Sequence, residues 1–258
     1  MRKILLFSAG LDSFPAWHYL GKPPALYFDS GHYGRQQEID TVRALAATHG
    51  MDLEVSSELD LSSRATPQGD LIPFRNVLFA MLASFRAEVI WCVGVKGDHT
   101  ADKSPEAFAR MSEMLSAFAD RPIRVDSPFW DMTKTDVVAW YLSSGLPVND
   151  LLQTFSCATP GAALVHCGQC PSCLRRWIAL TNNGVNGRFA SSPWTWERIR
   201  THYLPAMASG QYPPHRAQEF HRAMATVGLL PELPSSVNAP QPPADAAGIT
   251  DTTHREQQ

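Results

Sequence analysis

The sequence lacks any apolar run near the ~20 residues that a bilayer-spanning helix needs. Arg2 and Lys3 precede an apolar stretch, as in a secretory signal, but Asp12 interrupts that stretch and no small-residue cleavage site follows. Positive charge is not in excess either, since 22 Lys and Arg stand against 25 Asp and Glu, a formal net charge of −3. An extended nucleic-acid surface needs many phosphate-neutralising cations. We therefore expect a cytoplasmic protein without a membrane contact or a broad nucleic-acid surface.

Short apolar runs alternate with helical patterns through the first 150 residues. The predicted strands cover residues 3–7, 25–28, 53–56, 89–95 and 123–125. The predicted helices cover residues 14–20, 36–49, 75–87, 104–119 and the apolar run 137–142, which follows a capping-box spacing at Thr133 and Asp136. Strands that alternate with helices predict an α/β fold, a parallel sheet with helices on both faces. Ligands of such sheets bind at the carboxyl ends of the strands, so we expect one shared site there.

The composition changes along the chain and predicts four segments. Residues 1–150 form the α/β domain, residues 151–180 a cysteine module, and residues 181–230 a helical extension rich in Trp, Arg and His. Residues 231–258 are proline-rich, and we expect this tail to lack a packed structure.

The first predicted strand runs into residues 8–13, Ser-Ala-Gly-Leu-Asp-Ser. Small residues such as Gly10 let phosphate oxygens reach the backbone, and the hydroxyls of Ser8 and Ser13 add donors. Asp12 repels phosphate, so its presence indicates a role in holding Mg²⁺ or in positioning a neighbouring group. From these six residues alone, a helix N-cap in a connecting turn is an equally good interpretation.

Four of the five cysteines crowd into one segment, as Cys157 followed by Cys167-x-x-Cys170-x-x-Cys173. Four thiolates at such spacings are typical of a structural, tetrahedral Zn²⁺ site. An iron–sulfur cluster uses overlapping spacings, and a redox dithiol at Cys167 and Cys170 is a further alternative. Cys92 lies within a predicted strand and is interpreted as a small buried hydrophobe.

Residues 8–13 resemble the Ser-Gly-Gly-x-Asp-Ser pyrophosphate-binding loop of N-type ATP pyrophosphatases, with Ala9 at a position that is usually glycine. These enzymes activate a carboxylate or carbonyl oxygen by adenylation and release pyrophosphate. The resemblance implies a Rossmann-like fold of the adenine nucleotide alpha-hydrolase type, to which a small Cys₄ zinc module and a helical C-terminal extension are added here.

Further motifs, in the same order along the chain, resemble the 7-cyano-7-deazaguanine synthase (QueC-like) family. They are Tyr-Phe-Asp-Ser-Gly-His at 27–32, Arg-Gln-Gln-Glu at 35–38, Ile-Pro-Phe-Arg-Asn at 72–76, Ser-Pro-Phe-Trp at 127–130, Lys134, and Cys-Gly-Gln-Cys-Pro-Ser-Cys-Leu-Arg-Arg at 167–176. That family uses ATP to adenylate 7-carboxy-7-deazaguanine, forms an amide with ammonia, and dehydrates the amide to a nitrile after a second adenylation in queuosine biosynthesis.

The resemblance implies roles for individual residues. The implied nucleotide-binding residues are Ser8, Ala9, Gly10, Leu11, Asp12, Ser13, Asn76 and Asp98. The implied catalytic residues are Asp12, Arg75 and Lys134, of which Lys134 would neutralise charge on the leaving pyrophosphate. The implied metal ligands are Cys157, Cys167, Cys170 and Cys173. If the order of the motifs is set aside, the simpler interpretation of Lys134 is a solvated helix start, and that of Arg75 with Asn76 is a helix cap.

Residues 97–106 depart from the family pattern, since they lack the Cys-Arg pair of its substrate-contacting segment while Asp98 remains. We therefore expect ATP handling to be kept and the acceptor pocket to be changed. The acceptor is ammonia or, because QueC-like proteins also occur in phage genomes and antiviral gene clusters, a protein amine. A non-catalytic nucleotide or base sensor is a third hypothesis. A homodimer is a further expectation.

Overall fold

The computed structural model describes residues 1–32, 34–64, 72–98, 100–158 and 165–229. In this part of the chain, the strands β1 (Lys3–Leu6), β2 (Ala25–Phe28), β3 (Leu53–Ser56), β4 (Val89–Cys92) and β5 (Arg124–Asp126) form one sheet. The strand order is β3-β2-β1-β4-β5, and the neighbours pair in parallel. The order reverses between β1 and β4, so the carboxyl ends of these strands flank the crevice where such sheets bind ligands.

The helices of the described residues follow the strands in alternation through β5 and then continue alone. They are α1 (Ser13–Tyr19), α2 (Arg35–His49), α3 (Arg75–Ser84), α4 (Pro105–Ala119), α5 (Lys134–Ser143), α6 (Val148–Gln153), α7 (Pro171–Thr181), α8 (Leu204–Ala208) and α9 (Pro214–Thr226). Short 3₁₀ turns lie at Ser62–Arg64 and Pro193–Thr195, and a π-helix lies at Ile199–Tyr203. None of these helices has the length and apolar character that crossing a membrane would take.

Both faces of the sheet are covered because alternate strand residues point to opposite sides. Leu5 and Tyr27 face one buried cluster, which α1, α2, α5 and α7 complete, while Ile4 and Phe28 face a second cluster beneath α3 and α4. A third cluster joins Leu174 and neighbouring residues of α7 to the extension. The predicted α/β class, a parallel sheet with helices on both faces, is confirmed.

Local sequence signals explain several helix ends. Thr133 Oγ1 accepts a hydrogen bond from the Asp136 N–H and the Asp136 carboxylate accepts one from the Thr133 N–H, which confirms the predicted capping box before α5. Ser104 caps α4 with a single hydrogen bond, which its Oγ accepts from the Ala107 N–H, and Pro105 occupies the first helical position. Gly50 ends α2 in the left-handed conformation, with φ at 60°.

Two predicted boundaries are wrong for local reasons. Strand β4 ends at Cys92 rather than at residue 95, because Ser127 accepts the hydrogen bond of the Gly94 N–H and donates its own to the Gly94 carbonyl. Helix α3 ends at Ser84 rather than at residue 87, where the backbone tightens into a turn closed by a bond from the Arg86 N–H to the Ala83 carbonyl. A side-chain bond across 33 residues leaves no signal in the sequence of β4.

Two helices cross the predicted segment boundaries. Helix α6 spans residue 150, and α7 spans residue 180. Helix α7 begins in the cysteine segment, contributes Leu180 to the cluster on the α1 face of the sheet, and contributes Trp177 to the cluster of the extension. The four-segment division stays a prediction, and its last segment, residues 231–258, lies outside the described residues.

Phe220 of α9 packs in the same buried cluster as Leu174 and Trp177 of α7, so its substitution measures what this packing contributes to stability. Its side chain is fully buried in the cluster of the extension, whereas Phe118 on α4 is 87% exposed. We expect Phe220→Ala to lower the free energy of unfolding by about 3–5 kcal/mol, since it leaves a cavity. The matched change Phe118→Ala should cost less than about 0.5 kcal/mol. Denaturant unfolding followed by circular dichroism measures both, and equal costs would contradict this packing.

Candidate active site

The turn after β1 folds around the hydroxyl of Ser13. Ser13 Oγ accepts hydrogen bonds from the N–H groups of Ser8 (3.3 Å) and Gly10 (3.1 Å), and it lies 3.2 Å from Ser8 Oγ. Ala9 adopts a φ of 51°, a left-handed conformation that costs alanine about 1 kcal/mol and glycine almost nothing. The N–H of Phe155 donates to the Ala9 carbonyl at 2.9 Å and so supports the turn from the cysteine segment. Alanine therefore fits the turn at a small conformational cost.

Asp12 and Lys134 meet inside this turn although 122 residues separate them. Lys134 Nζ donates to Asp12 Oδ2, and their side chains are only 15% and 19% exposed. Burial lowers the pKa of Lys134, and the Asp12 carboxylate opposes that shift. Lys134 is thus a buried, paired cation beside the turn of residues 8–13, which we call the phosphate turn after its predicted role. Lys134 does begin α5, but its interpretation as a solvated side chain is wrong.

A cavity of about 440 Å³ opens where β1, β2 and β4 end. The phosphate turn forms one wall, and the start of α3 and the segment before Cys157 form others. The charged side chains in its described walls are Asp12, Glu38, Arg75, Lys103, Lys134 and Arg175. A cavity with this excess of cations suits a polyanionic ligand such as a triphosphate.

Arg75 and Asn76 lie in the first turn of α3, and both line the cavity. The helix cap is Phe74, which makes no capping side-chain hydrogen bond, so the interpretation of Arg75 and Asn76 as a cap is wrong. The Asn76 N–H donates to Asp102 Oδ2 at 3.0 Å. Asp102 thereby fixes the start of α3 beside the cavity.

Glu38 provides an acidic group on the side of the cavity formed by β2 and α2. Its carboxylate accepts a hydrogen bond from the Tyr27 hydroxyl at 3.3 Å and lies 3.1 Å from His32 Nε2. Burial raises the pKa of Glu38 to about 7, with Arg75 acting in the opposite direction. Glu38 therefore changes its charge close to neutral pH.

Asp98 lies behind the cavity wall rather than in it. Its buried carboxylate binds Lys103 at 3.1 Å, Arg175 at 2.9 Å and Arg216 at 3.2 Å. Burial alone would raise the pKa of Asp98, but the surrounding cations, Lys103 foremost, hold it well below its usual range. Asp98 thus positions cations, and its contact with nucleotide stays a prediction. His99, in the same departing segment, lies outside the described residues.

The four clustered cysteines meet at one point. The Sγ atoms of Cys157, Cys167, Cys170 and Cys173 all lie within 4.8 Å of one another, and those of Cys167 and Cys173 are 3.8 Å apart. Tetrahedral zinc with Zn–S bonds of ~2.3 Å requires sulfurs about 3.8 Å apart. The donor set and the spacing therefore fit a single Zn²⁺ ion, whereas a cluster places several metal and sulfide atoms between its thiolates.

Cys92 takes no part in that group. It is buried, burial raises its pKa to about 11, and its Sγ lies 3.8 Å from Asn76 Oδ1. Cys92 therefore stays a neutral thiol near neutral pH, which agrees with its interpretation as a small hydrophobe.

Comparison with known proteins places this chain in a family. The family model described as queuosine biosynthesis protein QueC matches residues 51–184, about half of the chain. The chain belongs to the QueC family. It is 28% identical over 225 residues to the 7-cyano-7-deazaguanine synthase of Marinobacter nauticus, covering 76% of this chain and 97% of that protein. It is 26% identical over 214 residues to the synthase of the same name from Chromohalobacter salexigens, covering 71% and 83%.

The cavity of this QueC-family protein brings together most of the site residues that its sequence predicts. Those in the wall are Ser8, Gly10, Leu11, Asp12, Ser13, Arg75, Asn76 and Lys134. Asp98 lies behind the wall, and Ala9 is buried beneath the turn. The prediction missed Glu38, Lys103, Ser156, Ser172 and Arg175. Glu38 and Arg175 both lie inside motifs that carry the family resemblance, at 35–38 and 167–176, and these motifs could have identified the two residues as part of the site.

Metal content tests the cysteine site of this QueC-family chain. We expect one Zn²⁺ per chain by elemental analysis, and we expect Cys170→Ser to lose that zinc and to unfold at a lower temperature, because a structural metal contributes folding free energy. Cys92→Ala is the control and should keep the full zinc content. Stoichiometric iron with acid-labile sulfide in the purified protein would contradict the assignment.

The raised pKa of Glu38 predicts a pH dependence of stability. The folded protein holds the Glu38 proton up to pH about 7, whereas an ordinary glutamate releases it near 4.5. The folded state therefore binds more protons between these values, so the stability of the wild type should fall relative to Glu38→Gln as pH rises from about 4.5 to about 7. The exposed Glu113→Gln is the control. Parallel stability curves for wild type and Glu38→Gln across this window would refute the shift.

Proposed function

We propose that the chain is an ATP-dependent ligase that forms C–N bonds on a 7-deazaguanine-type substrate. It adenylates the carboxylate of 7-carboxy-7-deazaguanine or a similar base and transfers the acyl group to a nitrogen nucleophile. The observation that carries this proposal is the buried contact of Lys134 with Asp12 inside the turn after β1, at the edge of a cationic cavity. The relatives named 7-cyano-7-deazaguanine synthase support the substrate class.

The first step forms a mixed anhydride. A substrate carboxylate oxygen attacks the α-phosphorus of ATP, the bond from that phosphorus to the bridging oxygen breaks, and pyrophosphate leaves with the electron pair. Lys134 is placed to neutralise charge that develops on the leaving group, because it lies at the turn that would hold the phosphates. Ser8 and Ser13 offer hydroxyl groups at the same turn.

Asp12 also fits a Mg²⁺ site. Its Oδ2 is bonded to Lys134, while its buried Oδ1 has no hydrogen-bond partner among the described residues. Mg²⁺ is commonly held by one or two carboxylates together with substrate phosphates, so one free carboxylate oxygen beside the phosphate turn is a suitable ligand. The bound ion would offset charge on the phosphates. Within this proposal Zn²⁺ stays structural, since four thiolates leave no open coordination position.

The second step consumes the acyl adenylate. Ammonia attacks the acyl carbon, the C–O bond to AMP breaks, and loss of a proton leaves an amide. In the full synthase sequence, the amide oxygen attacks the α-phosphorus of a second ATP and pyrophosphate leaves. The C–O bond to AMP then breaks, and loss of the two N–H protons yields a nitrile. Arg75 in the cavity wall is suited to binding a carboxylate or a phosphate through paired N–H donors.

Pyrophosphate release tests this function. We expect ATP with 7-carboxy-7-deazaguanine and ammonium to give pyrophosphate, AMP and an amide or nitrile identified by mass spectrometry. Turnover that needs an added protein amine would support the conjugating alternative suggested by antiviral gene clusters. If ATP and the base bind but no condition gives turnover, the result would support the sensor hypothesis and contradict the ligase function. Light scattering in the same buffer determines whether the proposed homodimer forms.

Lys134 provides the matching mutational test. We expect Lys134→Met to lower kcat about 10²- to 10³-fold, the usual effect of removing a preorganised electrostatic group from a transition state. Lys22→Met, on an exposed turn after α1, is the control and should retain full activity. If Lys134→Met keeps the wild-type kcat, Lys134 does not neutralise charge on the leaving pyrophosphate.

A further inference from the structure

A second cavity of about 270 Å³ lies between the helical extension and the cysteine segment. Its described lining comes from Lys96 after β4, from the start of α5, from α7, and from the extension. The extension contributes Tyr203, Met207, Tyr212, Arg216 and Glu219. All five lie beyond residue 184, where the match to the family model ends.

This cavity adjoins the first one. Lys134 and Arg175 line both of them, so these two cations stand at the boundary between the phosphate turn and the second cavity. Helix α9 is fixed at this place because Arg216 donates to the Gly97 carbonyl at 2.7 Å and to Asp98 at 3.2 Å. Asn182, the C-cap residue of α7, donates to the Glu219 carbonyl at 3.0 Å. A ligand in the second cavity would therefore face the phosphate turn across Lys134 and Arg175.

The lining combines apolar, aromatic and charged groups. The rings of Tyr203 and Tyr212 have centroids 6.0 Å apart at an interplanar angle of 35°, and Met207 lies nearby. Lys96 and Arg216 add positive charge to that of the boundary cations. Glu219 is the one acid in the described lining, and its Oε1 accepts a hydrogen bond from Thr133 Oγ1 at 2.5 Å. Its Oε2 is left for a donor from a ligand.

We propose that the second cavity binds the acyl substrate, a planar heterocycle that carries a carboxylate on one edge and N–H donors on another. The carboxylate points to Lys134 and Arg175, where it meets the α-phosphate of an ATP molecule in the first cavity. The ring lies against the tyrosines and Met207, and Glu219 accepts the N–H groups. This inference rests on the proposed ligase function. In it, the residues of the extension that line the second cavity determine which substrate the enzyme accepts.

The charges of the cavity favour this ligand over an amine acceptor. The described lining has four cations and one acid, and two further acids pair with three of those cations, Asp12 with Lys134 and Asp98 with Arg175 and Arg216. The cations still outnumber these acids by four to three, which favours a carboxylate over a protonated amine. A carboxylate such as Glu219 pairs well with adjacent ring and exocyclic N–H groups, as in a 2-aminopyrimidinone. Ammonia needs neither an aromatic wall nor a cavity of this volume.

Steady-state kinetics on the full chain test the proposal. We expect Met207→Trp, which fills the cavity, and Glu219→Gln, which removes the charge but keeps an acceptor for Thr133, each to raise the KM for 7-carboxy-7-deazaguanine about tenfold or more, with the KM for ATP unchanged. Met207→Leu, in contrast to Met207→Trp, should keep most of the affinity for 7-carboxy-7-deazaguanine, because it conserves the volume of the side chain. Arg222→Ala, exposed on the same helix, is the control. Unchanged substrate KM in both test variants, or a rise in the ATP KM instead, would overturn the site.

Calorimetry without ATP separates this inference from the proposed function. If the wild type binds 7-carboxy-7-deazaguanine and both variants weaken binding about tenfold, the second cavity is the substrate site even when turnover fails. If the wild type turns over and both variants bind the base as tightly as it does, the ligase function stands and the second cavity is not its substrate site. Glu219→Gln keeps the test decisive should Met207→Trp fail to fold, which thermal unfolding reports.

Discussion

The pairing of Lys134 with Asp12 is the interaction on which the site depends. It joins the turn after β1 to the start of α5, and both side chains are largely buried. Removing either partner of such a pair leaves an uncompensated buried charge at a cost of about 3–5 kcal/mol. Because Lys134 also borders the second cavity, the same pair links the phosphate turn to the wall between the two cavities.

The cysteine segment also supports the site through residues other than its cysteines. Its Phe155 supports the phosphate turn through the Ala9 carbonyl, and the neighbouring Ser156 forms part of the cavity wall. Helix α7, which starts beside the clustered cysteines, places Arg175 between the two cavities, and Arg176 donates to Thr154 Oγ1 at 2.7 Å. A metal bound by the four cysteines would therefore also order one side of the site.

Local patterns predicted the parts of the site that lie close together in sequence. The turn of residues 8–13, the four cysteines and the capping box before α5 each occupy a short stretch, so their spacing indicated that each forms a local unit. Asp98 shows what this reasoning could not reach. Its place in the motif order suggested a ligand contact, which stays a prediction. Its pairing with nearby Lys103 and with Arg175 and Arg216 from distant segments depends on which side chains the fold brings within reach.

By itself, the sequence determined the α/β class and the grouping of four cysteines, because hydrophobic periodicity and short-range spacing are properties of contiguous residues. Only the tertiary structure decided that Lys134 of α5 pairs with Asp12 of the turn after β1, that Glu38 is buried beside Tyr27, and that the extension encloses a second cavity. The physical reason is that burial and charge pairing depend on contacts between residues far apart in the chain.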